Sequence, residues 1–433
     1  MANNTNPSHP SVYIVDGART PFLKARGTPG PFSASDLAVA AGRALLARQP
    51  FSPEELGEVI LGCMMPSPDE ANIGRVVGLR LGCGDSVPGW TVQRNCASGM
   101  QALDSAIKDI AIGRHDLVLA GGTEAMSRAP LIFNRHMVNW LAAWNQAKTG
   151  GQRSKLLLQV RPNFLVPIIA LIRGLTDPIE GLNMGQTAEE IAFKFNIDRE
   201  AMDEFALRSH QLLAAAVDNG LMQETITLYD QSGQYYTEDD GIRRDSTLEK
   251  LAKLKPFFDK KFGRVTAANS SQVSDGSALL ILASAEAVKR HHLPVLGRIV
   301  DVEWGALSPR VMGLGPVFSS TPILQRHKLA LSDIDFWEIN EAFAAQVLGC
   351  IRAWNDKEFC QRHFGMDKAM GELDPSTLNV DGGAIAIGHP VGASGARIVL
   401  HLLHVLQRNN AKRGIAAICI GGGQGGSMLI ERV

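Results

Sequence analysis

Asn95-Cys96-Ala97-Ser98-Gly99 stands where one hydrophobic period gives way to another. Before it, Trp90-Thr91-Val92 is a β-type run. After it, Met100, Leu103, Ala106, Ile107 and Ile110 recur at helical spacing and share one apolar face. The change of period places Cys96 at or just before a helix N-terminus, where unpaired backbone N–H groups and the helix dipole favour an anion. A thiol there is expected to ionise below its free value of about 8.5. The other reading of the stretch is a small buried cysteine closing a strand–helix junction.

Upstream, Val12-Tyr13-Ile14-Val15-Asp16-Gly17 reads as the first strand. A helix follows from Ser35-Asp36 as its cap through Leu37, Ala41 and Leu45. Glu58-Val59-Ile60-Leu61-Gly62 is a second strand, and Ile73, Val76, Val77, Leu79 and Leu81 mark a second helix. Downstream of Cys96 the strand Leu117-Val118-Leu119-Ala120 stops at Gly121-Gly122. The last third of the chain repeats this plan in the same order. Gly297-Arg298-Ile299-Val300-Asp301 echoes the first strand, and Phe336-Trp337-Glu338-Ile339 the second. Gly392-Ala393-Ser394-Gly395 opens a helix as Ala97-Ser98-Gly99 does, and Ile415 to Ile420 ends in three glycines. Four echoes in one order predict a duplicated α/β unit, each half packing a sheet between helices, the two halves face to face.

The expected division is residues 1–126 as the first half, completed by about 265–290, with 127–264 inserted and 291–433 as the second half. The insertion is too apolar to be disordered. Residues 131–148 show no clear strand, Gly185-Gln186-Thr187 reads as a helix start and residues 199–217 as a long helix. Residues 156–172, from Leu156 to Ile172, are apolar and flanked by Arg153, Lys155 and Arg173. Pro162 and Pro167 interrupt this run, which is short of the roughly 20 residues of a spanning helix. It reads as a core-facing or partner-facing hairpin, or as an element lying in a membrane interface.

In 433 residues with a net charge of -1 there is no basic excess to suggest nucleic acid. The six cysteines lack metal-type spacing, and a disulfide framework is unusual in a chain this long, so a reducing compartment is expected and the protein reads as cytoplasmic. The first eleven residues are polar, without a targeting pattern.

Four short stretches set reactive side chains where strands stop: Cys96, Asn340-Glu341-Ala342-Phe343, Gly388-His389-Pro390 and Cys419-Ile420-Gly421-Gly422-Gly423. In α/β sheets that edge binds ligands. A Cys with a His held between Gly and Pro suits a nucleophile and its base, and glycine N–H groups suit an oxyanion. Together with Gly121-Gly122-x-Glu124-x-Met126-Ser127 and Val265-Thr266-Ala267-Ala268-Asn269-x-Ser271, these stretches closely resemble the thiolase superfamily over residues 12–430.

The resemblance implies an α/β fold with a duplicated core in five layers (αβαβα) and an inserted loop domain. It implies a 3-ketoacyl-CoA thiolase, an acetyl-CoA acyltransferase of fatty-acid β-oxidation. Cys96 would carry the acyl group, His389 would be its base and Cys419 the acid. His389 with a water held by Asn340 would form one oxyanion site, the N–H groups of Cys96 and Gly421 the other. Arg243, Phe258, Ala267, Ser271 and Phe343 align with positions that hold coenzyme A, which is a substrate; no other cofactor and no metal are implied. A homodimer or dimer of dimers is implied. The insertion and residues 354–376 look most like the β-subunit of fatty-acid-oxidation trifunctional complexes, which suggests a hydratase/dehydrogenase partner subunit; peripheral membrane contact through 156–172 is expected from the apolarity of that segment alone. Those relatives usually carry His where this chain has Asn340, and short-chain acetoacetyl enzymes have His-Met-Gly at Asn183-Met184-Gly185. The alternatives are an acetoacetyl-type biosynthetic acetyltransferase, a ketoacyl synthase, against which Cys419 speaks, and a non-catalytic scaffold subunit, against which the intact motifs speak.

Overall fold

A computed structural model describes residues 11–433; the polar start lies outside the described residues. The first strand, β1 (Val12–Arg19), leads to α1 (Ala34–Leu46). The cap of α1 is Ser33 rather than Ser35: its hydroxyl takes the Asp36 N–H and the Asp36 carboxylate returns to the Ser33 N–H. Then follow β2 (Glu58–Gly62), α2 (Ile73–Arg80), β3 (Gly89–Val92), α3 (Ser98–Ala111) and β4 (Leu117–Ala125).

Between β4 and the return strand lie α4 (Arg135–Gln146), α5 (Gly150–Leu157), α6 (Met184–Lys194) and α7 (Arg199–Asp218). Helix α6 starts one residue before Gly185 because Asn183 and Gln186 form a capping box. The expected hairpin over 156–172 is not one. The segment is the end of α5, a 3-10 turn begun by Pro162, the two-residue strand Ile168–Ile169 and the short helix Ala170–Gly174. Ile168–Ile169 pairs with Leu131–Ile132, more than thirty residues back, so residues 131–148 do contain a strand. Local periodicity carries no sign of so distant and short a pairing. Among the described residues no helix is long and apolar enough to cross a membrane.

The chain returns as β5 (Ser274–Ser284), and the second half follows: β6 (Gly297–Ala306), α8 (Gly315–His327), β7 (Phe336–Ile339), α9 (Ala344–Asn355), α10 (Val391–Arg408), β8 (Arg413–Ile420) and β9 (Gln424–Glu431). The strands run in the order β7-β8-β9-β6-β1-β5-β4-β2-β3, with the short strand Leu23–Lys24 on β5. Each half repeats one pattern. Parallel pairs β2/β3 and β2/β4 match β7/β8, and antiparallel β4/β5 and β5/β1 match β8/β9 and β9/β6. The second half lacks a full counterpart of β3. In its place Leu378 makes a single parallel bridge to Trp337, and the Asn379 side chain pairs with both backbone groups of Ile339, each at 2.9 Å. An amide side chain there stands in for a peptide group of the missing strand.

The two halves of the sheet pair strand to strand where Tyr13 and Ile14 face Arg298 and Gly297. Both sheet halves are covered on two faces, so strand residues alternate between apolar layers. Ile60, Ala416, Ile418 and Ile420 face a central layer with α3 and α10. Val59 and Leu61 face an outer layer with α1; Ile415, Ala417 and Cys419 face the opposite one, with α8 and α9. This is the five-layer α/β arrangement. Within the central layer, backbone meets backbone. A Cβ on Gly122 would overlap the Gly392 carbonyl, one on Gly99 would lie 2.8 Å from it, and one on Gly395 2.7 Å from Met100 N. No side chain separates α3, α10 and β4, so the starts of the two helices lie together.

Candidate active site

Cys96 sits just outside the cap of α3, which is Ala97. The turn is set by Asn95 in the left-handed region, φ 44°, and by the Ser98 hydroxyl, which accepts Arg94 N–H and donates to Asn95 O. The Asn95 amide donates to Gly421 O at 2.8 Å, tying the turn to the end of β8. The Cys96 thiol lies against the N–H groups of Gly421 and of Cys96 itself. Its pKa is nevertheless raised, opposite to the expectation from the helix terminus. Burial penalises the thiolate more than those two N–H groups stabilise it, and the Glu124 carboxylate adds to the rise.

His389 enters from the other half, two residues before α10, after Gly388 at φ 112°. Its Nδ1 is 2.6 Å from Ser394 Oγ, whose hydroxyl also bonds Pro390 O at 3.0 Å. The hydroxyl has one proton; donating it to Pro390 O leaves it to accept from Nδ1–H. That fixes the tautomer and leaves Nε2 bare. Burial, then the Arg397 guanidinium, push the imidazole down to about 3, so it is neutral. Asn340, fully buried, holds Nδ2 at 3.5 Å from both ring nitrogens, while its Oδ1 takes Arg397 Nη2 at 3.4 Å. Arg397 in turn pairs with Glu338 at 3.1 Å. Cys419, near the end of β8, is raised well above the ordinary thiol value by burial and by the neighbouring Cys96 and Cys350 thiols.

Cys96, His389 and Cys419 line one cavity of about 650 Å³ together with Arg243, Phe258, Ala267, Ser271 and Phe343. Phe258 meets Phe343 edge-on at 5.9 Å, and Ser271 N–H binds Ala342 O. Asn340 stands behind His389, and Gly421 beside the Cys96 thiol. Every residue singled out in the sequence is thus in one place. Glu341 of the same motif turns away; it accepts from Ser209, Asn379 and Ile385 and holds the His389 segment from below.

Four contributions were missed by the sequence reading. Lys24 lines the cavity, and burial, then Arg243 and Arg26, lower its pKa, so three cations gather on one side with Asp240. Met126, Met184 and Met312 line the cavity, with Leu175 from the insertion. Ser394 and Arg397, three residues apart on α10, face His389; their spacing was the available signal. Glu124 takes the N–H groups of Met64, Met65 and Gly392 and binds the β2 exit to the start of α10. Burial raises it to about 7. Among the described residues no group of three or more side chains could hold a metal ion.

Family models for the thiolase N-terminal and C-terminal domains match residues 12–286 and 293–432. The chain belongs to the thiolase family. It is 39% identical to the β-ketoadipyl-CoA thiolase of Pseudomonas knackmussii, over 98% of this chain and 99% of that one. It is 35% identical to the mitochondrial trifunctional enzyme subunit β of Bos taurus, over 98% and 89%. The crystal structure of human mitochondrial 3-ketoacyl-CoA thiolase in complex with CoA matches with a TM-score of 0.83 at 36% identity, covering 98% of each chain. The protein is thus a thiolase-type acyltransferase, and the cavity described above is the candidate thiolase active site.

Proposed function

We propose that the protein cleaves 3-oxoacyl-CoA with CoA to acetyl-CoA and an acyl-CoA two carbons shorter, as in fatty-acid β-oxidation, and runs in reverse as a Claisen condensation. The observation that carries this is a neutral imidazole with a bare Nε2 in one cavity with two protonated thiols. Cys96 Sγ attacks the 3-oxo carbon as its proton passes to His389 Nε2, and the oxyanion takes hydrogen bonds from the site. The C2–C3 bond then breaks, leaving the acyl group on Cys96; Cys419 gives its proton to the acetyl-CoA enolate and is left as thiolate. The thiol of CoA supplies the proton that restores Cys419 and attacks the thioester, and His389 returns its proton to Cys96. A raised Cys419 pKa suits an acid that must hold its proton until the enolate forms.

The methionine-lined side of the cavity, with Leu175, supports an acyl chain longer than acetoacetyl. CoA is proposed to lie along Arg243, Phe258, Ala267, Ser271 and Phe343, with Lys24 near its phosphates. The test is a thiolysis series over chain length, with mass spectrometry of Cys96 after acetyl-CoA. Acyl transfer to Cys96 and rates rising from four-carbon to longer substrates are expected. A Cys419→Ala protein with wild-type thiolysis overturns the mechanism.

Homodimers or dimers of dimers, and a hydratase/dehydrogenase partner, belong to the same reading, as does a cytoplasmic setting, in keeping with six free cysteines. A lipid surface is proposed for the insertion. Residues 127–176 contain no Asp or Glu but seven Lys or Arg, and Leu158, at 89% exposure, leads a set of bare Leu, Ile, Phe and Val side chains there. Flotation with anionic liposomes tests this; equal binding by protein lacking 156–172 removes it.

A further inference from the structure

Helix α10 is buried on nearly every side, yet it carries a polar stripe: Ser394, Arg397, His401, His404 and Arg408. The first two serve His389 and Asn340. His401, fully enclosed, has a carboxylate on each ring nitrogen: Glu224 Oε1 on Nδ1 and Asp381 Oδ2 on Nε2, both at 2.9 Å. Carboxylates only accept, so both nitrogens must donate and the ring is an imidazolium. Asp381 also binds Arg408 at 2.5 Å. Glu224 takes Arg19 Nε at 3.3 Å, and Arg19 grips Asp239 with two bonds of 2.7 and 2.8 Å. Three cations face three carboxylates, so the cluster is neutral only with His401 charged. Glu338, Arg397 and His404 are the other titratable groups that face it.

These partners come from three parts of the chain. Arg19 ends β1; Glu224 and Asp239 belong to the loops after α7; Asp381, His401 and Arg408 flank the His389 segment. Asp381 opens the turn through Gly382, at φ 78°, that leads to Gly388 and His389, and His401 lies three helical turns beyond. We infer that His401 is a positioning residue for His389, an imidazolium clamp that fixes both ends of the 381–401 segment against the insertion and the first half. This rests on the reading of His389 as the base.

The test is turnover per active site, with sites counted by iodoacetamide labelling of Cys96. A merely structural role lowers the number of sites and leaves turnover per site unchanged. His401→Gln, which can donate only from one end, is expected to lower kcat per site about ten-fold with KM changed less than two-fold, and His401→Lys to recover part of the loss. Arg408→Gln, at a partly exposed position near the end of α10, is expected to lower kcat per site about three-fold in the same way. Wild-type kcat per site in His401→Gln, or in Arg408→Gln where the former does not fold, overturns the clamp. His389→Ala separates the two readings. If it turns over normally, the base assignment fails; if it is inactive while the clamp variants are normal per site, only the clamp fails.

Discussion

At rest the three side chains proposed to react, Cys96, His389 and Cys419, carry no charge, because burial penalises the charged form of each. Charge appears only as the reaction proceeds. Alkylation of Cys96 by iodoacetamide should therefore rise with pH through a midpoint above the free-thiol value of about 8.5. A midpoint near 6 or 7 would mean a resting thiolate–imidazolium pair. His389 is held near 3, below its ordinary 6.5, so kcat/KM should show no acid limb at pH 6.5. Lys24→Ala should raise KM for the CoA substrates five- to ten-fold and leave kcat within two-fold, measured at low ionic strength, where a partly exposed cation acts most strongly. The location of Cys96 at a strand–helix turn was legible from the change of period. The direction of its pKa was not, since enclosure by the second half depends on residues 300 positions away.

At the scale of elements, the decisive contact is the crossing of α3, β4 and α10 through glycine. Gly122→Ala pushes a methyl into the Gly392 carbonyl. It should lower stability by about 1–3 kcal/mol, read as a fall in melting temperature, and slow thiolysis, because the crossing sets Cys96 against His389. An unchanged melting temperature would show that the helices part without cost. The duplicated plan was legible because glycine-ended apolar strands recur in one order. The reduced third strand of the second half was not, because the Asn379 side chain replaces backbone pairing and leaves no β-type run. In the insertion, two-residue strands fall below any periodic signal, whereas α7, twenty residues long with Asp198 as cap, was plain.

For the whole molecule, the buried charges make stability depend on pH at both ends. His401 is raised to about 10, although burial opposes it, by Glu224 and Asp381. A raised group contributes fully below its unfolded value of about 6.5, and the contribution is lost as pH rises toward 10. His389 is depressed, so its part is present above 6.5 and lost as pH falls toward 3. Melting temperature should therefore decline from pH 7 to 10, and His401→Gln should flatten that decline; a decline of equal slope in the variant would place its origin elsewhere. The central layer has a further consequence for synthesis. Strand β1 waits for β5, some 260 residues later, and the apolar face of the first half waits for α10 and β8. At roughly 5–20 residues per second, the last 140 or so residues take roughly 7–30 s to leave the ribosome. For that interval α3, β4 and β5 lack the α10 helix that covers them in the folded protein, so the nascent first half is expected to need chaperones until its own C-terminal half arrives.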